Sequence, residues 1–389
     1  MTISFRSNTT LILMRIYIFI LAGMVSLAAH TQTITLTSPP NGGNQKSSVT
    51  QWIGLVSVTI TYRGPDVHSP TGEDRKGHIW GELVHYGLKD PDGYGTSTAS
   101  PWRAGSNEIT TVTVSHDVKI NGKDLKAGTY GLMLLLEKDK PWTWIFSKNS
   151  TSWGVYYYTP AEDVIRVEST PEDCAYTEWL TYGFDDRQLL SANAYLQWEN
   201  KRIAFKIEVP NGIQLYVDQK RAELTGFAGF NSSNWLNGAR FCLDNKSNLD
   251  EALTWVNISM NTERFNGTKS FYAMQTKAEI LGLLNRGAEA DAVMKEAIDM
   301  NPSVTELHQY GRSLLNTGKN KEALEVFKLN RQRHPEDKFT TLVGLARGYT
   351  ATGNKKEAIK NWELALQNVP DNQKANVETF KKEIEKLKQ

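Results

Sequence analysis

One short stretch gathers side chains suited to holding a ligand. From Trp102 to Thr110 the chain sets an aromatic, an arginine, a glycine, an asparagine and a glutamate just ahead of an apolar alternation. Arg103 offers a planar fork for a carboxylate or phosphate, Asn107 can donate and accept, and Glu108 can act as a base or a cation ligand. Trp102 adds a flat apolar face. A ligand-binding loop on a rigid scaffold has this composition. A structural turn uses the same residue types, with Arg and Glu pairing and Asn satisfying loop backbone groups. The two readings part on whether the side chains converge on a pocket or are taken up by one another.

Other chemistry is weaker. His78, Glu82 and His85 lie close together, with His116 and Asp117 further on, but in a strand His85 would face away from the other two. No spacing matches a metal-ligand motif, so no metal site and no cofactor are expected. A nucleophilic serine on a sharp turn would need a Gly-x-Ser-x-Gly segment, and Ala104-Gly105-Ser106-Asn107 is the nearest approach. Glu108, Asp163, Glu178 and Asp185 could supply paired carboxylates for glycoside hydrolysis only at suitable separations. No catalytic residue is assigned. Gly93-Tyr94-Gly95 lacks the third glycine and the helix of a dinucleotide fingerprint. Of Trp80, Trp102, Trp142, Trp144, Trp153, Trp179 and Trp198, most should fill a core, leaving one or two to stack on a sugar ring. If Tyr156-Tyr157-Tyr158 is a strand, its middle ring opposes its neighbours. The 44 Lys and Arg balance 43 Asp and Glu, and Lys381-Lys382 alternate with Glu383 and Glu385, so nucleic acid is not an expected partner.

These residues sit in a chain of 389, long enough for two domains. Arg15 precedes an apolar run from Ile16 to Ala29 ending in small residues, the pattern of a secretory signal peptide (residues 1–29). Its core is short for a membrane span, Met14 is a plausible alternative start to Met1, and no cysteine follows to carry a lipid. The expectation is export to the periplasm or the exterior, with no membrane span in the mature chain. A polar linker follows (residues 30–48). Residues 49–215 then read as strand after strand: Val56 to Tyr62, Thr110 to Val114, Tyr130 to Glu137, Trp142 to Ser147, Val164 to Glu168, Tyr176 to Phe184, Ala194 to Glu199 and Arg202 to Val209. Asn121-Gly122 is suited to a tight hairpin turn, and Ala127-Gly128 precedes the next strand. An antiparallel β-sandwich is expected, with a flattened barrel as the alternative. Cys174 and Cys242 fall in different domains, excluding a disulfide scaffold and leaving open whether the two pair.

Past Pro210 the period becomes helical, and a repeat emerges over residues 220–389. Aligning Ala290, Ala323 and Ala358 also aligns Met294, Phe327 and Trp362, then Pro302, Pro335 and Pro370. The spacings, 323 − 290 = 33 and 358 − 323 = 35, bracket the tetratricopeptide period of about 34 residues. A small Ala lets paired helices approach, a bulky residue one turn on fills their groove, Pro ends the pair, and Gly318 and Gly353 make the turns. Ala252 suggests a divergent earlier hairpin, and Lys374 to Leu387 a polar capping helix.

The β region also carries several ordered motifs: Thr59 to Pro65, Gly77 to Val84, Trp102 to Thr110, Ile120 to Tyr130, Trp153-Gly154 and Gln197 to Glu199. Together they resemble the bacterial family called domain of unknown function 2911, over roughly residues 36 to 210. Ser106 stands where that family commonly has Ala, and Lys76-Gly77-His78 where a Gly-Arg pair is usual. The resemblance implies a β fold and an exported setting, and no established activity. The expected function is that of a binding or scaffold protein whose repeats engage a protein or peptide, with the β domain as a second recognition module for a glycan or small molecule. The alternative is a receptor or enzyme, such as a glycan-acting hydrolase, centred on the Trp102 to Thr110 loop.

Overall fold

A computed structural model of the chain describes residues 44–389 apart from 70, 262, 264 and 265. The expected signal peptide, its start site and the linker up to residue 43 lie outside the described residues. Among the described residues ten strands come first: β1 (Gln45–Ile53), β2 (Val56–Gly64), β3 (Thr110–Val114), β4 (Val118–Ile120), β5 (Lys123–Leu125), β6 (Gly128–Leu135), β7 (Trp142–Ser147), β8 (Asp163–Ser169), β9 (Glu172–Asp185) and β10 (Ser191–Glu208). They form two antiparallel sheets, ordered β1-β2-β3-β6-β7-β8 and β5-β4-β10-β9. Alternate residues of each, such as Val58 and Ile60 from one sheet and Leu196 and Phe205 from the other, meet in a single core. The sandwich is unclosed.

Two differences from the sequence reading have physical causes. Strand β1 begins at Gln45, inside the segment read as linker, because its length is polar and only its partner β2 reveals it: Ser48 pairs with Thr61 and Thr50 with Thr59 through their hydroxyls. The segments Ala194 to Glu199 and Arg202 to Val209 are one strand, β10. Its buried residues are even-numbered up to Trp198 and odd-numbered from Ile203, and a bulge at Glu199 (φ 52°) absorbs the change of phase. The expected hairpin at Asn121-Gly122 joins β4 to β5 with both residues at positive φ, 44° and 82°.

Ten helices follow among the described residues: α1 (Gly212–Leu224), α2 (Ser232–Asp244), α3 (Leu249–Ser259), α4 (Phe271–Leu283), α5 (Gly287–Asp299), α6 (Val304–Asn316), α7 (Asn320–Arg333), α8 (Thr340–Ala351), α9 (Lys355–Leu366) and α10 (Val377–Lys388). The stretch from Pro210 to Gln219 is no free linker, since α1 packs Leu215 on the β core and Val217 and Leu224 on the helical core. From α2 to α9 the helices stack as antiparallel pairs, α2 with α3, α4 with α5, α6 with α7 and α8 with α9, and α10 closes the end with Phe380 and Ile384 buried. The aligned residues lie where the spacing placed them: Ala323, Phe327, Ala358 and Trp362 are buried on second helices. Phe327 fills the space left by Gly311 and Gly344, where an added Cβ would come within 2.4 and 2.6 Å of its ring. Gly318 and Gly353 turn each pair at φ 75° and 78°, and Asn285 holds the same place one repeat earlier at φ 60°. Lys374 to Leu387 is a 3-10 turn followed by α10, a small departure from one continuous helix. Cys174 and Cys242 are free thiols.

Candidate functional site

The loop from Trp102 to Thr110 ends a long connection between β2 and β3. It is bound to the sandwich through its backbone. The Trp102 amide and carbonyl pair with Leu134, and the buried Ala104 carbonyl accepts from both Thr110 Oγ1 (3.0 Å) and the Tyr182 hydroxyl (2.8 Å). Ala104 and Asn107 sit at positive φ, and a Cβ on Gly105 would lie 2.6 Å from Thr110 Oγ1. Only a short, polar, glycine-bearing sequence can follow that path.

The four expected ligand residues are drawn into this framework. Trp102 Nε1 donates to the Gly105 carbonyl (3.1 Å), and Arg103 Nη1 donates to the Asn107 carbonyl (2.8 Å) with its guanidinium over the Tyr156 ring. Asn107 meets the Asn44 amide at 3.5 Å. Glu108 is the largest departure, because both its oxygens accept from Arg63 of β2, which also donates to the Asn44 carbonyl. The hydrogen bonds from Arg63 hold the Glu108 carboxyl below its usual range, so it is an ion-pair partner rather than a base. The sequence offered no signal for Arg63, 45 residues away.

A cleft of about 360 Å³ does open beside the loop, lined by Trp102, Arg103, Ser106, Asn107, Arg75 and His85, with Trp198 at its floor. Arg75 is held by Asp66 and the Val67 carbonyl. His85 Nδ1 donates to the Gly87 carbonyl (3.0 Å), and burial lowers its pKa, leaving a neutral ring. The histidine cluster imagined on one strand is instead in loops: His78 bonds Glu82 at 3.0 Å while His85 faces Gly87. Tyr156-Tyr157-Tyr158 is likewise a turn, not a strand, with Tyr158 buried and Tyr157 exposed. Of the seven tryptophans named from the sequence, Trp153 and Trp179 are exposed, as is Trp52, and Trp80, Trp102, Trp142 and Trp198 form one aromatic cluster.

The remaining candidate carboxylates are also occupied. Asp163 is bonded by Arg166 and the Tyr158 hydroxyl, and Asp185 pairs with Arg202. Glu178 is bonded by Tyr176 and by His68 (2.9 Å); burial alone would raise its pKa, but these bonds outweigh it and bring it down to about 2. Among the described residues no group of three or more His, Cys, Asp and Glu side chains is placed to hold a metal ion.

The helical array presents the second candidate, on the face formed by the first helix of each pair. One cleft of about 450 Å³ runs along α4 and α6, lined by Tyr272, Gln275, Glu279 and Arg312. Another, of about 430 Å³, runs along α6 and α8 to the start of α10, lined by His308, Arg312, Val343 and Arg347. Thr305, Gln309 and Arg312 line both, so the two form one continuous groove. Its polar residues follow the repeat: Glu279, Arg312 and Arg347 are equivalent positions, since 312 − 279 = 33 and 347 − 312 = 35. Sequence reading aligned the residues between helices and overlooked these, which face outward. Glu279 is held by Arg240, Gln275 and Ser313. Burial, then Arg347 and Arg312, push the His308 pKa down to about 4, so its ring is neutral at the groove wall.

Residues 44–207, spanning both sheets, match the family described as Protein of unknown function (DUF2911), and the β domain is a domain of that family. The helical array lies beyond the match. No curated protein matches the chain.

Proposed function

We propose that this is an exported bacterial binding protein, acting in the periplasm or outside the cell, whose helices form a tetratricopeptide-type solenoid that takes a peptide or protein segment along its groove. The observation that carries the reading is the continuity of that groove across α4, α6 and α8 through the shared Thr305, Gln309 and Arg312. Stacked helical hairpins act through extended surfaces of this kind. The tetratricopeptide assignment is supported by the 33- and 35-residue spacings and by the glycine, alanine, aromatic and proline positions that share them.

The β domain serves as a second recognition module. Support comes from its cleft, with an aromatic floor and the Arg103, Ser106 and Asn107 side chains at its rim, and from exposed Trp153, Tyr157 and Tyr94 nearby in the fold. That combination suits a glycan or small polar ligand. A hydrolase centred on Glu108 is disfavoured by the Arg63 ion pair, and no base-activated nucleophile stands beside it among the described residues.

The test is selection of displayed random peptides on the full chain, followed by binding to two variants. Gln309→Trp places a bulky ring on an exposed position in the groove, and Arg103→Ala alters the β cleft. Selected peptides should lose about tenfold or more in affinity for Gln309→Trp and bind Arg103→Ala as they bind the wild type. Peptides that ignore Gln309→Trp, or that depend on Arg103, would overturn the reading.

A further inference from the structure

The groove carries positive charge that no ion pair among the described residues neutralises. Among the described residues Arg312 and Arg347 make no ion pair and no side-chain hydrogen bond. Both line the cleft along α6 and α8. Arg312 is exposed, while Arg347 is half-buried, with its guanidinium 5.8 Å from the Trp362 ring and a buried Nε without an acceptor. Burial and then the charge of Arg312 act against the protonated form of Arg347 and outweigh the smaller favourable effect of Glu383, so the two arginines repel each other.

The nearby carboxylates are engaged elsewhere. Glu279 is held by Arg240, Glu306 closes the capping box at Ser303, and Glu383 pairs with Lys386. A half-buried guanidinium lacking an acceptor is costly, and a second cation beside it adds to that cost. An anion from outside removes both penalties. The neutral His308, lining the same cleft, adds no competing charge.

We propose that Arg312 and Arg347 form a carboxylate subsite, and that the segment bound in the groove is an acidic peptide placing Asp or Glu side chains between them. This rests on the peptide-binding reading above and names the chemistry of its partner. The repeat makes the recognition directional. Glu279, at the equivalent position one repeat earlier, replaces the positive charge with one already paired, so the acidic part of the peptide lies toward α8 and its neutral part toward α4.

The test measures fluorescence anisotropy of two short labelled peptides on the full chain, one alternating Leu and Glu and the other alternating Leu and Gln. A charge-assisted hydrogen bond in such a site corresponds to roughly tenfold or more in affinity. The Glu peptide should bind at least about tenfold more tightly, and the difference should disappear in the double variant Arg312→Gln/Arg347→Met. Arg347→Met keeps an apolar stem over Trp362 and Arg312→Gln is a surface change, so the variant should unfold with the wild-type transition. Equal binding of both peptides by the wild type would overturn the subsite while leaving the peptide-binding reading standing. A Glu preference that survives the double variant would place the acidic site elsewhere, and binding of neither peptide would also overturn the proposal. The peptide-binding reading is decided separately by the displayed-peptide selection.

Discussion

Two clefts in this protein are lined by arginine, and they treat it in opposite ways. In the β domain Arg63 is closed on Glu108, Arg75 on Asp66 and its neighbours, and Arg103 on the Asn107 carbonyl. In the helical groove Arg312 and Arg347 have no acceptor among the described residues. The first arrangement fixes a loop against a sandwich, and the second leaves charge directed toward whatever occupies the groove. Residue type alone does not distinguish a binding arginine from a structural one. What distinguishes them is whether the fold has already supplied the acceptor.

The groove depends on Phe327, so its loss should have the largest effect. Phe327→Ala removes a fully buried ring packed against Gly311, Gly344 and Gly348 and should cost about 3–5 kcal/mol. Scanning calorimetry should show the helical transition falling while the β transition holds. A shift of both by the same amount would mean that the regions unfold as one.

The β loop should answer next to loss of its buried hydrogen bonds. Thr110→Val with Tyr182→Phe strips both donors from the Ala104 carbonyl and should cost roughly 1–3 kcal/mol in urea unfolding, without changing peptide binding. A fall in peptide affinity would tie the loop to the groove and blur the contrast. Within the repeats, Gly353→Ala at φ 78° should cost about 1 kcal/mol, while Asn285→Gly at the equivalent turn should cost little or nothing.

The smallest effect is expected at the ion pair between Arg63 and Glu108. Both side chains are partly exposed, so Arg63→Gln should lower stability by no more than about 1 kcal/mol at neutral pH. Arg63 depresses the folded pKa of Glu108, so this contribution is present above the unfolded carboxylate value and disappears as pH falls through the folded one. Wild type and variant should therefore draw together progressively as pH falls below the ordinary carboxylate value of about 4.3 in unfolding measurements. A gap that widens in acid would show that Glu108 is not held ionised by Arg63.

Much of the architecture was legible in the sequence because it rests on local pattern. The alternation of Val56 to Tyr62, the Asn121-Gly122 turn and the Ala323, Phe327 and Pro335 register each carry their own signal within a few residues. Strand β1 was not legible, since its partner supplies its reason to be extended, and β10 appeared as two strands because the Glu199 bulge reverses its alternation. The site was least legible for the same reason at longer range. The sequence allowed Glu108 an arginine partner within its loop but gave no sign of Arg63, which is distant, while Arg312 and Arg347 went unmarked because a missing partner leaves no trace in a sequence.

The central claim is that the helical groove, rather than the β loop, holds the arginines available to a partner. It is tested most directly by following the arginine Nε–H signals of the full chain by NMR, with assignment by single substitutions, during titration with the Leu-Glu peptide. The signals of Arg312 and Arg347 should shift together and saturably, with Arg63 and Arg103 unmoved. Shifts at Arg63 or Arg103, with Arg312 and Arg347 silent, would contradict the account.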